Sequence, residues 1–423
     1  MRVGVSTAAL AMCGLLLAAC GSSGGDTADP SAEPSASGSP QATSSILIWS
    51  DAAHADALEA SAAAHEEATG VAVDVETVGA DLADVRDQFV QLAPQGQGPD
   101  LLVGLSDWVG QLADYGVLAP VDLAGRTASF RSVSTEAFTY QGRTYGLPFA
   151  TDNVALLRNT DLAPDTPESI EVMARDGLEL ADENRKIVPI ALPVGPAGDA
   201  YHWYPFYSAG GGKIFGSDPQ GGYTADQVEV GQRGSIVAAR QLARLTKDGA
   251  LDADLTADDA LASFTAGRSP YLIAGPQSVE AVRQSGVPFV VEAVPGFDDV
   301  LGSRSQALVS AQGLLQSAFA RNPAGASQYL ATTAMTTTVM STLAAPGGLA
   351  PAWIASYELA SSDAVITGFG GYADSSAPLP NLAEMDLVWA PLGQAEADVM
   401  AGADPRRTMR AAGAQIQAGI DAG

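Results

Sequence analysis

The chain has 423 residues, with 49 Asp+Glu against 21 Lys+Arg and a formal net charge of −28. A surface this acidic repels a phosphate backbone, so no nucleic-acid partner is expected, and the scattered histidines His54, His65 and His202 leave no metal or other cofactor to expect. Hydrophobic residues make up 47% against 17% charged, enough to bury a core, and no apolar run beyond the N-terminus reaches the roughly 18 residues of a membrane span.

At the start, Met1-Arg2 gives one positive charge, Ala8 to Ala19 is almost wholly apolar, and Leu17-Ala18-Ala19-Cys20 follows. That order reads as a secretory signal over residues 1–19. The cysteine directly after Leu-Ala-Ala resembles the lipobox of bacterial lipoproteins, which implies that Cys20 becomes a lipidated first residue. Cleavage before it removes Arg2, moves the net charge from −28 to −29 and leaves Cys20 as the only cysteine. The exported chain then forms no internal disulfide. Residues 20–44 hold that cysteine and a Gly/Ser/Pro-rich linker without aromatic or large aliphatic residues. Such a tether spans about 27 Å root-mean-square. Two or more acyl chains would hold the body at the outer face of the cell membrane.

Ile46-Leu47-Ile48-Trp49 reads as a buried strand. His54 to Thr69 is Ala- and Glu-rich and helical, closed by Gly70. Val71 to Glu76 alternates with period two, a half-buried strand. Asp81 caps a helix with Leu82, Val85, Phe89 and Leu92 on one face, and Pro94 stops it. Asp100 to Gly104 is a further strand. Strand–helix–strand–helix–strand predicts a mostly parallel sheet. Such sheets bind ligands beyond the carboxyl ends of their strands, here after Trp49 and after Gly104. A second α/β stretch runs from Val154 to Phe297, with helices near 167–181 and 231–247 and strands near Tyr271–Ala274 and Pro288–Val294. The last third is helix-rich, and the length suggests two lobes.

No C-x-x-C, H-E-x-x-H or G-x-x-x-x-G-K-[ST] occurs. The acidic run from Asp252 departs from a calcium loop at Ala257 and Ser263. What remains is aromatic and carboxylate placement. Asp107-Trp108 sits just past a strand end, Tyr201-His202-Trp203-Tyr204 is a polar-aromatic run, and Trp389 precedes Ala390-Pro391. Asp51, Asp152 and Asp199 fall at strand ends or loops. Flat rings beside carboxylates suit a sugar, whose apolar face lies on the ring while its hydroxyls donate to the acids. Taken singly, each aromatic reads more readily as core and each aspartate as cap or solvated surface. Trp49 and Trp353 are assigned to packing.

Five segments, ILIWSD, GQGPDLLVGLSDWVGQLADYGVLAPV, GRTYGLPFATDNVALLRNTDL, ASFTAGRSPYLIAGP and PLPNLAEMDLVWAPLGQA, occur in this order. They resemble consecutive segments of the bacterial extracellular solute-binding proteins of the maltose/maltodextrin-binding class. The resemblance implies an α/β, two-lobed, periplasmic-binding-protein-like clamp, each lobe a mostly parallel sheet flanked by helices. Lobe 1 would take residues 45–150 and 303–345, and lobe 2 residues 151–302 and 346–423. Hinges would lie near Ala150–Val154 and around residues 300 and 345.

It also implies a monomeric binding protein, not an enzyme, that hands an oligosaccharide to the permease subunits of an ABC transporter. Asp51, Asp107, Asp152 and Asp199 match polar ligand contacts of the class, and Tyr201 and Trp389 match its stacking positions. Trp108, Trp203 and Gln277 complete the candidate ligand-binding set. Trp108 stands where the maltose binder has a cation, Ala52 and Ala53 where it has a lysine, Gln277 and Gly104 where tryptophans occur, and Ala390 where a tyrosine occurs. These departures leave the sugar open. Two rivals stand beside this reading. One is the same clamp with another oligosaccharide, a polyol or a non-sugar ligand. The other is a glycoside hydrolase with paired aspartates, Asp107 lying in the apolar setting of Trp108.

Overall fold

Ile46 and Ile48 face one side of the first strand and Leu47 and Trp49 the other, and each side meets its own apolar layer. The structure is a computed structural model and describes residues 45–219 and 221–422. The expected signal, Cys20 and the tether lie outside the described residues.

Strand β1 (Ile46–Asp51) leads into helix α1 (Ala55–Thr69), which Gly70 closes at φ 73°. Only a residue without Cβ adopts that left-handed turn cheaply. Strand β2 (Val73–Gly79) follows. Helix α2 (Leu82–Leu92) is capped by Asp81, whose carboxylate accepts from the Asp84 N–H at 3.1 Å. Strand β3 (Leu101–Leu105) completes the opening pattern. Strands β4 (Gly146–Asp152) and β5 (Ala155–Asn159) are separated only by Asn153-Val154. Beyond them come helices α3 (Ala200–Ala209) and α4 (Arg233–Lys247) and strands β6 (Tyr271–Ala274) and β7 (Phe289–Glu292). The ten-residue strand β8 (Leu308–Ser317), the short β9 (Ala350–Pro351) and helices α5 (Trp389–Met400) and α6 (Pro405–Ala422) end the chain.

The large sheet runs β9-β4-β8-β3-β1-β2, and the small one runs β6-β5-β7. β1 is parallel to β2 and β3, as the opening pattern predicts. The mostly parallel expectation fails elsewhere. β8 is antiparallel to β3 and β4, and the small sheet is antiparallel throughout. Parallel neighbours need a crossover between them, which α1 and α2 supply for β1–β3. β8 instead enters the large sheet from the side of the small one, so it runs against its neighbours.

Two cores result. One covers both faces of the large sheet: Ile48, Leu58, Val103, Phe149 and Leu314 on one side, Trp49, Phe89, Leu102, Phe138 and Leu315 on the other. The other surrounds the small sheet with Val154, Trp203, Phe264, Tyr271, Phe369 and Leu392. The chain passes between them at Asp152–Val154 and again along β8, where Leu308 belongs to the small-sheet core and Leu314 to the large-sheet core. Further along, Trp353 belongs to the large-sheet core and Phe369 to the small-sheet core, so the chain passes between them once more. Trp49 and Trp353 are buried packing residues, Trp353 edge-on to Phe130 at 4.8 Å. Among the described residues no helix is long and apolar enough to cross a membrane, and no cluster of three or more His, Cys, Asp or Glu is placed to hold a metal ion.

Candidate functional site

Asp107 lies in a single turn, Ser106–Trp108, directly after β3. The Ser106 hydroxyl accepts from the Ala311 N–H at 3.0 Å, which pins this turn to β8. Asp152 ends β4, opposite Ser310 of β8. The two carboxyls are therefore carried by the strands on either side of β8 in the large sheet. From the other side comes the start of α3. Asp199 caps it, accepting the His202 N–H at 3.0 Å and lying 2.7 Å from His202 Nδ1. Tyr201 stands in the first turn, its ring 6.4 Å from Trp389 at 71°, an edge-to-face pair. Trp389 is itself the first residue of α5.

These groups feel one another. Burial raises the Tyr201 hydroxyl well above its usual pKa, and the charges of Asp152, Asp107 and Asp199 push the same way. Burial also lifts Asp107 to about 6, with Arg86 opposing and Asp386 assisting. Asp152 is likewise raised by burial to about 6, with the Asn153 N–H and the His202 charge opposing. For Asp199 burial pushes upward too, but the hydrogen bond and charge of His202 outweigh it and hold the acid below its usual range. The site thus pairs one firmly ionised carboxylate with two carboxyls poised near neutrality. Asp107 Oδ1 is buried without a hydrogen-bond partner, and Asp107 and Trp389 both line a narrow cleft of about 40 Å³. Trp108, Gln111, Leu379 and Met385 line the same cleft.

Trp108 is mostly core, 6% exposed, with the Arg86 guanidinium 5.8 Å from its ring centre. A Cβ at Gly104 would sit 3.0 Å from the Trp108 ring and 2.6 Å from Leu315. The glycine in place of a tryptophan at 104 therefore makes room for the tryptophan at 108.

Three candidates lie elsewhere. Trp203 is fully buried in the small-sheet core, its ring 5.0 Å from Tyr207, so it packs instead of lining the cleft. Two residues along a helix turn about 200°, which puts 201 and 203 on opposite faces. Gln277 folds back over Gly275 and lines a different hollow, with Arg283, Gly347 and Asp363. Asp51 is 5% exposed and 2.6 Å from His54 Nδ1; like Asp152, Asp199 and Tyr201 it is not among the residues lining the cleft of Asp107 and Trp389, and unlike them it has no ring or charge contact with the group around Tyr201.

Two residues were missed. His202 sets the charge state of Asp199 and opposes the rise at Asp152. Its sequence signal is the Asp-x-x-His spacing at a helix start. Glu396 is fully buried, and its Oε2 accepts the Asp199 N–H at 2.6 Å. Burial raises its pKa well above the usual carboxyl range, and its bond to the Asp199 N–H ties α5 to α3. Only its position seven residues after Trp389, on the same helix face, hints at this.

A sequence profile described as bacterial extracellular solute-binding protein matches residues 60–366. The chain is similar to a maltotriose-binding protein of Pyrococcus abyssi, 26% identical over 59% of this chain and 53% of that one, so it spans about half of that relative. It is 25% identical to a galactooligosaccharide-binding protein of Bacillus subtilis over 93% of this chain and 92% of the other. Identity is also 25% to a maltooligosaccharide ABC transporter solute-binding lipoprotein of Streptococcus pneumoniae, over 96% and 93%. In fold it resembles a cyclo/maltodextrin-binding protein crystallised with maltotetraose, with a TM-score of 0.79, 21% identity and coverage of 89% and 97%.

Proposed function

This chain belongs to the bacterial extracellular solute-binding protein family, and from that premise we propose that it captures a maltooligosaccharide-like sugar and presents it to the permease subunits of an ABC importer. The observation that carries the reading is the convergence of Tyr201 and Trp389 with Asp107, Asp152 and Asp199. Rings take the apolar face of a pyranose, and the three acids take its hydroxyls. Carboxyls near pKa 6 both donate and accept, which suits hydroxyl groups that do the same. The lobes are residues 45–150 with 303–345 and residues 151–302 with 346–423, the last boundary shifting toward Trp353–Phe369. Ligand contacts from both lobes exist together only when the clamp is shut, so sugar shifts the open–closed equilibrium.

The protein works as a monomer held by a lipid on Cys20 at the outer face of the cell membrane. The Streptococcus relative, named a lipoprotein, supports that placement. The Bacillus relative, named for galactooligosaccharides, favours a second reading in which the same cleft takes another oligosaccharide. Titration with maltooligosaccharides and a panel of other glycans, followed by tryptophan emission and calorimetry, tests both. A spectral change with maltotriose supports the first reading. Silence toward the whole panel sinks the sugar-binding function. Chromatography of the incubated sugars covers the hydrolase rival, which turnover lost in Asp107→Asn would favour.

A further inference from the structure

Sharing no lining residue with the cleft, a cavity of about 840 Å³ opens between α4 and α6. Arg233 and Arg240 of α4 and Arg406 and Arg410 of α6 line it, and no acidic residue does. Spacings of seven and of four put each pair on one face of its helix. Seven other arginines, at 86, 131, 158, 175, 185, 244 and 283, have a carboxylate partner, and Arg126, Arg143, Arg268, Arg304, Arg321 and Arg407, which lie outside the hollow, have none among the described residues. Among the described residues none of these four has an ion pair or a side-chain hydrogen bond. In a chain with 49 acids for 21 bases, four arginines and no acid around one hollow make a local excess of positive charge.

The four arginines are exposed, and the helix that carries two of them is fixed in place. Met409 and Ile416 of α6 are fully buried. Gly413 lies so close to the Val230 carbonyl that a Cβ there would collide with it. Along α6, Arg406 and Arg410 sit in the first turns, where the helix dipole disfavours positive charge. The N-terminus of α4 also meets the cavity, through Gln232 and Arg233, and no side chain caps it. Free helix N–H groups beside arginines make a strong receptor for a tetrahedral anion.

We propose that the α4/α6 pocket binds a ligand carrying two or more phosphate groups. Four guanidinium charges match the three to four negative charges of a diphosphate. The overall −28 does not prevent it, because at physiological salt charges beyond about 8 Å are screened while the four arginines are in contact with the ligand. The shared chemistry comes from two sources, a soluble diphosphate or the head groups of an anionic lipid surface.

The test uses the exported chain with Cys20→Ser, so that no acyl chain carries it to a vesicle. Calorimetry with sodium pyrophosphate at low salt is expected to show binding that weakens at least tenfold in the double variant Arg233→Gln/Arg410→Gln. A second double variant, Arg240→Gln/Arg406→Gln, is expected to lose as much. Thermal melts of both variants report that they fold. Sedimentation with phosphatidylglycerol vesicles against phosphatidylcholine vesicles separates the sources. Capture by the anionic vesicles alone, reversed by pyrophosphate, assigns the pocket to lipid head groups, and pyrophosphate binding without capture assigns it to a soluble ligand. No binding in either arm, or binding that both folded variants retain in full, overturns the proposal.

Discussion

Asp107 and Asp152 carry the pH behaviour of the candidate site. Burial raises each from the ordinary carboxyl value to about 6. An acid raised by folding holds its proton more tightly in the folded state, so its contribution is complete below pH 4 and declines as the pH climbs to about 6. Asn at either position stays neutral and escapes this loss. Asp107→Asn and Asp152→Asn should therefore melt above the parent at pH 7.5 and level with it near pH 4. An offset of equal size at both pH values would contradict the assignment. Asp152→Ala removes the group altogether, and calorimetry should show maltooligosaccharide binding weaker by about 1–3 kcal/mol, because a sugar hydroxyl is left unpaired. Unchanged affinity would take Asp152 out of the site.

At the scale of elements, α3 decides which aromatics are functional. Its cap, Asp199, was readable as a loop acid, and Tyr201-His202-Trp203-Tyr204 was readable as a cluster. Which ring would meet a ligand was not, because that depends on what packs against each face. Tyr201 meets Trp389 of α5, while Trp203 is enclosed beside Tyr207. Trp203→Ala should cost about 3–5 kcal/mol in urea unfolding, as a buried aromatic deletion does. Trp389→Ala should change stability by less than about 1 kcal/mol and lower sugar affinity at least tenfold. The reverse pattern would exchange their roles. Element positions were legible wherever local signals were strong. The helix closed by Gly70 and the strand Tyr271–Ala274 stand where they were predicted. β2 extends to Gly79, beyond the alternating Val71–Glu76, because its pairing with β1 continues past the last apolar residue.

For the whole molecule, the two cores approach each other near the cleft. Gly110, just past Asp107, lies so close to the Asn381 carbonyl that a Cβ would collide with it, and Asn381 Nδ2 donates to the Ala137 and Thr139 carbonyls at 3.0 and 2.9 Å. Asn381 thus ties the segment before Trp389 to the large-sheet side. If sugar selects a shut arrangement, ligand at a hundred times its dissociation constant should add about 2.7 kcal/mol of stability. Small-angle scattering should show a smaller radius of gyration with maltotriose than without. A melting rise without compaction would separate binding from closure. By itself the sequence determined the α/β class, the order of helices and strands, their caps and the resemblance to a two-lobed clamp, since all of these rest on periodicity and neighbours along the chain. The tertiary structure alone decided the antiparallel course of β8, the exclusion of Trp203 and Gln277 from the cleft, the buried Glu396 beneath Asp199 and the arginine pocket. Each of those depends on residues distant in sequence meeting in a low-dielectric interior or across a shared hollow, where contact and burial, not local pattern, set the energy.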